Sequence, residues 1–105
     1  MKKIIIANWK MNPSSIKEAN KLFNSLLAIK SNDSEIVIAP PFVYLNNLKT
    51  KKLKNLKLAS QDVFWEEKGA NTGEISPKML KDLELDYAII GHSERRKYEN
   101  ETYEK

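Results

Sequence analysis

The chain has 105 residues, none of them cysteine, and only three glycines, four prolines and one histidine. Without thiols it can form neither disulfides nor thiolate metal sites, and its composition fits a reducing, cytoplasmic compartment. Neither a Gly-x-Gly-x-x-Gly nor a Gly-x-x-x-x-Gly-Lys-Ser/Thr loop follows the first apolar run. That argues against dinucleotide and P-loop nucleotide binding. The opening run, Ile4-Ile5-Ile6-Ala7, is cut off by Asn8-Trp9-Lys10. It is too short to span a membrane, and no signal peptide is expected. Low-complexity segments and internal repeats are absent as well. The remainder is globular in character, 41% apolar and 30% charged, and the length allows one domain or part of one.

Charge is the first positive feature. Eighteen Lys and Arg against fourteen Asp and Glu leave a net charge of +4. Such a balance favours anionic partners: a phosphorylated metabolite, nucleic acid or a membrane surface. The basic residues concentrate between Lys49 and Lys57. That run lacks interleaved aromatics and matches no nucleic-acid module, so it reads as a solvated helix end and connection. Neither nucleic acid nor membrane is expected as a partner.

The patterning is that of alternating strands and helices. Lys3 to Asn8 forms a strand whose unbroken isoleucines suggest burial on both faces, as in parallel sheets. A helix follows, with Ile16, Ala19, Leu22, Phe23, Leu26 and Leu27 on one face. Ser15 and Glu18 have the spacing of a capping box. Ser31-Asn32-Asp33-Ser34 ends that helix. Glu35 to Ala39 is the second strand, stopped by Pro40-Pro41. A shorter helix spans Val43 to Thr50, with Tyr44, Leu45 and Leu48 inward. Leu56 to Gln61 is the third strand, and Asp62 to Glu74 a long polar connection. Ser76-Pro77 caps a helix reaching Leu83. Tyr87 to Gly91 is the fourth strand, and Glu94 opens another helix.

This order, β-α-β-α-β-α-β-α with short spacings, specifies a parallel sheet with right-handed crossovers. The obvious parent is a (β/α)₈ barrel, whose ordinary length is about 250 residues. Residues 1–105 are therefore expected to be a single partial domain, four parallel strands with their helices, about the first half of such a barrel.

In this architecture ligands bind at the C-terminal ends of the strands. Asn8 and Lys10 follow the first strand, Gln61 ends the third, and His92 follows the fourth. Lys10 has the charge to hold an anion, Asn8 can donate a hydrogen bond, and His92 can act as acid, base or neutral donor. Each also has a plain reading: a solvated lysine, an asparagine capping a turn, a structural histidine. Glu94 at a helix start complements the helix dipole, whereas Arg95 and Arg96 there call for carboxylate partners.

Taken together, several segments resemble the triosephosphate isomerase family in the family's order. They are Asn8-Trp9-Lys10-Met11-Asn12, Ala39-Pro40-Pro41 and Ser60-Gln61-Asp62. Gly69-Ala70-Asn71-Thr72-Gly73-Glu74-Ile75-Ser76 and Gly91-His92-Ser93-Glu94-Arg95-Arg96 complete the set. The resemblance implies a TIM barrel and an isomerase of glycolysis and gluconeogenesis. Such an enzyme interconverts dihydroxyacetone phosphate and glyceraldehyde 3-phosphate through an enediolate. It implies that His92 is the electrophile that polarises the carbonyl and shuttles protons. It makes Lys10 the catalytic cation that attracts phosphate and stabilises the negative intermediate. Asn8 and Trp9 would complete the substrate-binding tripeptide with Lys10. Glu94 would pair with Lys10, and Ser93 would border the site. No metal and no organic cofactor is implied. Thr72 corresponds to a residue that reaches a neighbouring subunit, which implies a homodimer.

The family's catalytic base is a glutamate in an Ala-Tyr-Glu-Pro-Val-Trp-like segment, and no such segment occurs here. The expectation is therefore a fragment of an isomerase, inactive alone. The alternative is a non-catalytic half-barrel that assembles with itself or with a complementary half.

Overall fold

The computed structural model describes residues 3–28, 34–50 and 56–90. In these, β1 (Lys3–Asn8), α1 (Ile16–Leu27), β2 (Ser34–Ala39), α2 (Phe42–Lys49), β3 (Leu56–Ser60), α3 (Pro77–Asp82) and β4 (Tyr87–Ala88) follow one another. The strands lie in the order β1-β2-β3-β4 and every neighbouring pair is parallel. They form a curled half-barrel, the first half of a (β/α)₈ barrel. The fourth strand is shorter than the expected Tyr87 to Gly91, and Gly91 lies outside the described residues. So do residues 31–33 of the expected turn, residues 51–55 of the basic run, and the helix expected from Glu94.

Local chemistry accounts for the helix starts. The Ser15 hydroxyl accepts from the Glu18 N–H at 3.1 Å, and the Ser76 hydroxyl accepts from the Met79 N–H at 3.1 Å. Each satisfies a donor that has no partner within its own helix. Pro77 occupies the first turn of α3, where its missing N–H costs nothing.

Register decides which face each strand residue serves. Ile5 pairs with Ile36, Ala7 with Ile38, and Ile38 with Leu58. Of this set Ala7, Ile36, Ile38 and Leu58 pack beneath the helices, with Phe23 of α1 and Leu45 and Leu48 of α2 fully buried against them, whereas Ile5 stays half exposed. The alternate set faces the barrel interior, where Val37, Ala39 and Ala59 are buried and Ile89 packs on them. Helices cover one face of the sheet; a handful of small side chains lines the other.

Two expectations need correction. The isoleucines of β1 are not buried on both faces: Ile4, Ile5 and Ile6 are 53%, 52% and 51% exposed. The run carries the composition of a central strand, but among the described residues β1 pairs only with β2 and lies at the sheet's edge. On α1, Ala19 and Phe23 are buried, and Leu26 and Leu27 pack on the core. Ile16 and Leu22 remain exposed, because one sits in the first turn and the other on the flank of the apolar stripe.

At the N-terminal ends of the strands, the Tyr87 hydroxyl donates to Glu35 Oε2 at 2.9 Å. This ties β4 to β2 across β3. Beside it, Lys57 Nζ lies 4.0 Å from Asp86 Oδ1. The hydrogen bond to Glu35, followed by desolvation and the Glu35 and Asp86 charges, raises the Tyr87 pKa above its ordinary 10.0.

Candidate active site

At the opposite rim, β1 delivers three consecutive residues with three different fates. Asn8 is half-buried and pairs in register with Ala39. Trp9 turns its ring into the core under the helices, 9% exposed, and its N–H donates to the Ala39 carbonyl at 3.0 Å. Lys10 emerges at the surface with φ of 57°. A left-handed backbone at a residue with a Cβ costs about 1–2 kcal/mol, so surrounding bonds must hold it.

Those bonds are present on both sides of Lys10. Its N–H donates to Asn8 Oδ1 at 2.8 Å. Its carbonyl accepts from Gln61 Nε2 at 2.7 Å, and the same amide donates to the Ala39 carbonyl at 2.9 Å. One carboxamide from the end of β3 therefore grips the ends of β1 and β2. The following loop is anchored too. Asn12 Nδ2 donates to the Trp9 carbonyl at 3.4 Å, and the Tyr44 hydroxyl of α2 donates to the Pro13 carbonyl at 2.8 Å.

The rim thus presents a cation on a fixed backbone beside a carboxamide whose oxygen is committed to the turn. The same carboxamide carries an amide nitrogen, a group that can only donate. Beneath the rim, Ala39 and Ala59 are buried with Val37, and Ile89 packs on them. Among the described residues no group of three His, Cys, Asp or Glu could hold a metal ion. An exposed cation and an amide donor at the mouth of a half-barrel suit a small anionic ligand.

The structure brings Asn8, Trp9 and Lys10 together as expected from their adjacency, with Trp9 serving the core by its ring. His92, Ser93 and Glu94 lie outside the described residues. Thr72 stands exposed at the tip of the loop after β3, far along the chain from the Lys10 turn. That loop is closed at its base by the Phe64 N–H donating to the Ile75 carbonyl at 2.7 Å. At the tip, the Glu74 N–H donates to the Asn71 carbonyl at 3.0 Å, and Gly73 takes the φ of 89° that this turn requires.

The contribution of Gln61 was not foreseen beyond its place at a strand end. The available signal was a long amide directly after an apolar strand, at the height where neighbouring strands leave carbonyls pointing upward.

A family model described as Triosephosphate isomerase matches residues 3–105. The triosephosphate isomerase of Thermoanaerobacter sp. is 50% identical over 103 residues, covering 96% of this chain and 41% of the relative. That of Clostridium tetani is 47% identical, covering 96% and 40%, and that of Dictyoglomus thermophilum is 49% identical, covering 98% and 42%. The chain spans about two-fifths of the length of the curated relatives it matches. With the parallel half-barrel, the Asn8-Trp9-Lys10 turn and a family match over nearly its whole length, the chain belongs to the triosephosphate isomerase family.

Proposed function

We propose that this chain supplies the first four β/α units of a triosephosphate isomerase, interconverting dihydroxyacetone phosphate and glyceraldehyde 3-phosphate through an enediolate. The observation that carries the reading is the Asn8–Lys10 turn: an ammonium on a clamped, left-handed backbone beside an amide donor. Lys10 attracts the substrate phosphate and stabilises the negative charge that grows in the transition state, which is the kind of interaction that raises turnover. Asn8 donates from Nδ2 to the substrate. Trp9 contributes through its backbone while its ring anchors the turn. His92, shortly after β4 in the chain, polarises the carbonyl and moves protons between the two oxygens. A neutral imidazole is better matched as an acid to an enediolate oxygen than imidazolium. Glu94 pairs with Lys10, and Ser93 borders the site.

The wider assignment follows the same reading. The substrate is a small phosphorylated triose, and the protein works in the cytoplasm without nucleic-acid or membrane partners. Among the described residues no helix is long and apolar enough to cross a membrane. Thr72, exposed at its loop tip, meets a second subunit in a homodimer.

These 105 residues carry no Ala-Tyr-Glu-Pro-Val-Trp-like segment and hence no candidate for the base that removes the substrate's carbon-bound proton. The test is a coupled assay with glyceraldehyde 3-phosphate on two polypeptides. One is the 105-residue chain; the other joins it to the remaining segment of the Thermoanaerobacter relative. Turnover by the joined protein and none by the 105-residue chain is expected, and a joined protein that folds but does not isomerise would refute the reading. The half-exposed isoleucines of β1 favour a second reading, a non-catalytic half-barrel that pairs with itself or with a complementary half. Sedimentation of the 105-residue chain separates the two, because a stable, discrete dimer without activity in either polypeptide supports only the second.

A further inference from the structure

Resting on the isomerase reading, we propose that the Tyr87–Glu35 hydrogen bond locks the register of β4, which makes Tyr87 a positioning residue for His92. Glu35 stands two residues before Val37, and Tyr87 pairs in register with Ala59. Val37 and Ala59 face the barrel interior, so by the alternation of a strand Glu35 and Tyr87 face it too. The Tyr87 hydroxyl donates to Glu35 Oε2 at 2.9 Å, across β3. Lys57 pairs with Val37 and shares that face on the strand between them, its Nζ 4.0 Å from Asp86 Oδ1. The backbone alone holds β4 by little. Its pairing with β3 consists of Ala59 with Tyr87 and Ser60 with Ala88, and among the described residues no strand lies on its other side. The Asp86 N–H donates to the Leu58 carbonyl at 3.2 Å, and the Ile89 N–H to the Ser60 carbonyl at 2.9 Å. So short a ladder specifies register weakly, because another offset offers the backbone equivalent partners. The side chain lacks that freedom. A slip of one residue turns Tyr87 to the helix face, away from Glu35. A slip of two carries its hydroxyl about 7 Å along the sheet. His92 comes four residues after Ala88 in the sequence, so any slip of β4 displaces the segment that carries it. Far smaller misplacements of a reacting group already carry large kinetic costs.

The experiment uses the protein expressed from its whole coding frame, as parent, Tyr87→Phe, Glu35→Leu, Glu35→Gln and the double variant Tyr87→Phe/Glu35→Leu. Steady-state kinetics, thermal melting and hydrogen exchange of the Ile89 amide, which reports the β3–β4 ladder, are measured on each. Tyr87→Phe keeps the ring and loses only the donor. It lowers kcat about tenfold and speeds Ile89 exchange about tenfold. KM stays within about twofold of the parent, because Lys10 binds the phosphate from β1. Glu35→Leu does the same, and the double variant is no worse than either single one, since both remove one bond. Glu35→Gln keeps an oxygen that accepts from the phenol, and its kcat stays within about twofold of the parent. The inference is overturned if Tyr87→Phe keeps kcat within about twofold, or leaves Ile89 exchange unchanged, however far its melting temperature falls. If Tyr87→Phe does not fold, Glu35→Leu against Glu35→Gln decides the matter, and equal kcat in the two overturns the inference. A parent protein without isomerase activity would sink the functional reading, and Ile89 exchange alone would then decide whether the bond sets the register.

Discussion

Lys10 holds a conformation that glycine would adopt without cost, and its side chain is the reason to tolerate it. Lys10→Gly is expected to raise stability by about 1 kcal/mol in urea melts, because the left-handed strain disappears. The same substitution removes the ammonium and with it affinity for a phosphorylated triose. Stability and function therefore move in opposite directions at one residue. Tyr87 makes a second residue-scale case. Its pKa is raised, first by the hydrogen bond to Glu35, so the folded state keeps the phenolic proton where the unfolded chain has begun to lose it. Above the ordinary value of 10.0 the unfolded state binds fewer protons than the folded one, and stability falls with pH. Below that value the contribution is fully present; it is lost as pH rises through the folded pKa. Absorbance titration should show one tyrosine ionising late, and Tyr87→Phe should remove that step and flatten the alkaline loss of stability.

Helix ends were the most legible elements, because a cap is a local event. Ser15 and Ser76 each stand immediately before an amphipathic run, and each caps the third residue onward with its hydroxyl. Ser76→Ala should cost about 1 kcal/mol in thermal or urea melts. The far end of α3 was not legible. Glu84 there takes φ of 61°, its N–H donates to the Lys81 carbonyl at 2.9 Å, and the Leu85 N–H reaches back to the Leu80 carbonyl at 3.2 Å. That is a Schellman closure with glutamate where glycine is usual, and nothing in the residue type announces it. Glu84→Gly should stabilise the protein by about 1 kcal/mol, since the exposed side chain makes no hydrogen bond or ion pair with the described residues. A melting temperature that falls would contradict the assignment.

At the scale of the whole molecule, the half-barrel is covered along its helix face and left exposed along β1. Phe23, Ile38, Leu45, Leu48 and Leu58 are fully buried under the helices, whereas Ile4, Ile5 and Ile6 remain half in water on an edge strand. Unpaired apolar edges recruit other chains. The 105-residue polypeptide should therefore self-associate with rising concentration in sedimentation experiments. Ile6 pairs with Val37 and so shares the interior face. Ile6→Lys should suppress that association while leaving the helix-covered core in place, as amide protection of β2 would report. A concentration-independent monomer with protected β1 amides would contradict this.

The parallel β/α order was legible because each element's period and stop signals are written within a few residues, and the rim triplet because Asn8, Trp9 and Lys10 are neighbours in the chain. The family followed from several such motifs standing in order. Tertiary structure alone decided the rest. Which isoleucines meet water depends on which strands stand beside β1, and the strand's own composition does not record that. The grip of Gln61 on Lys10 joins residues 51 positions apart, and the Glu35–Tyr87 bond joins residues 52 apart. Contacts of that span exist only once parallel pairing has set the strand ends at a common height.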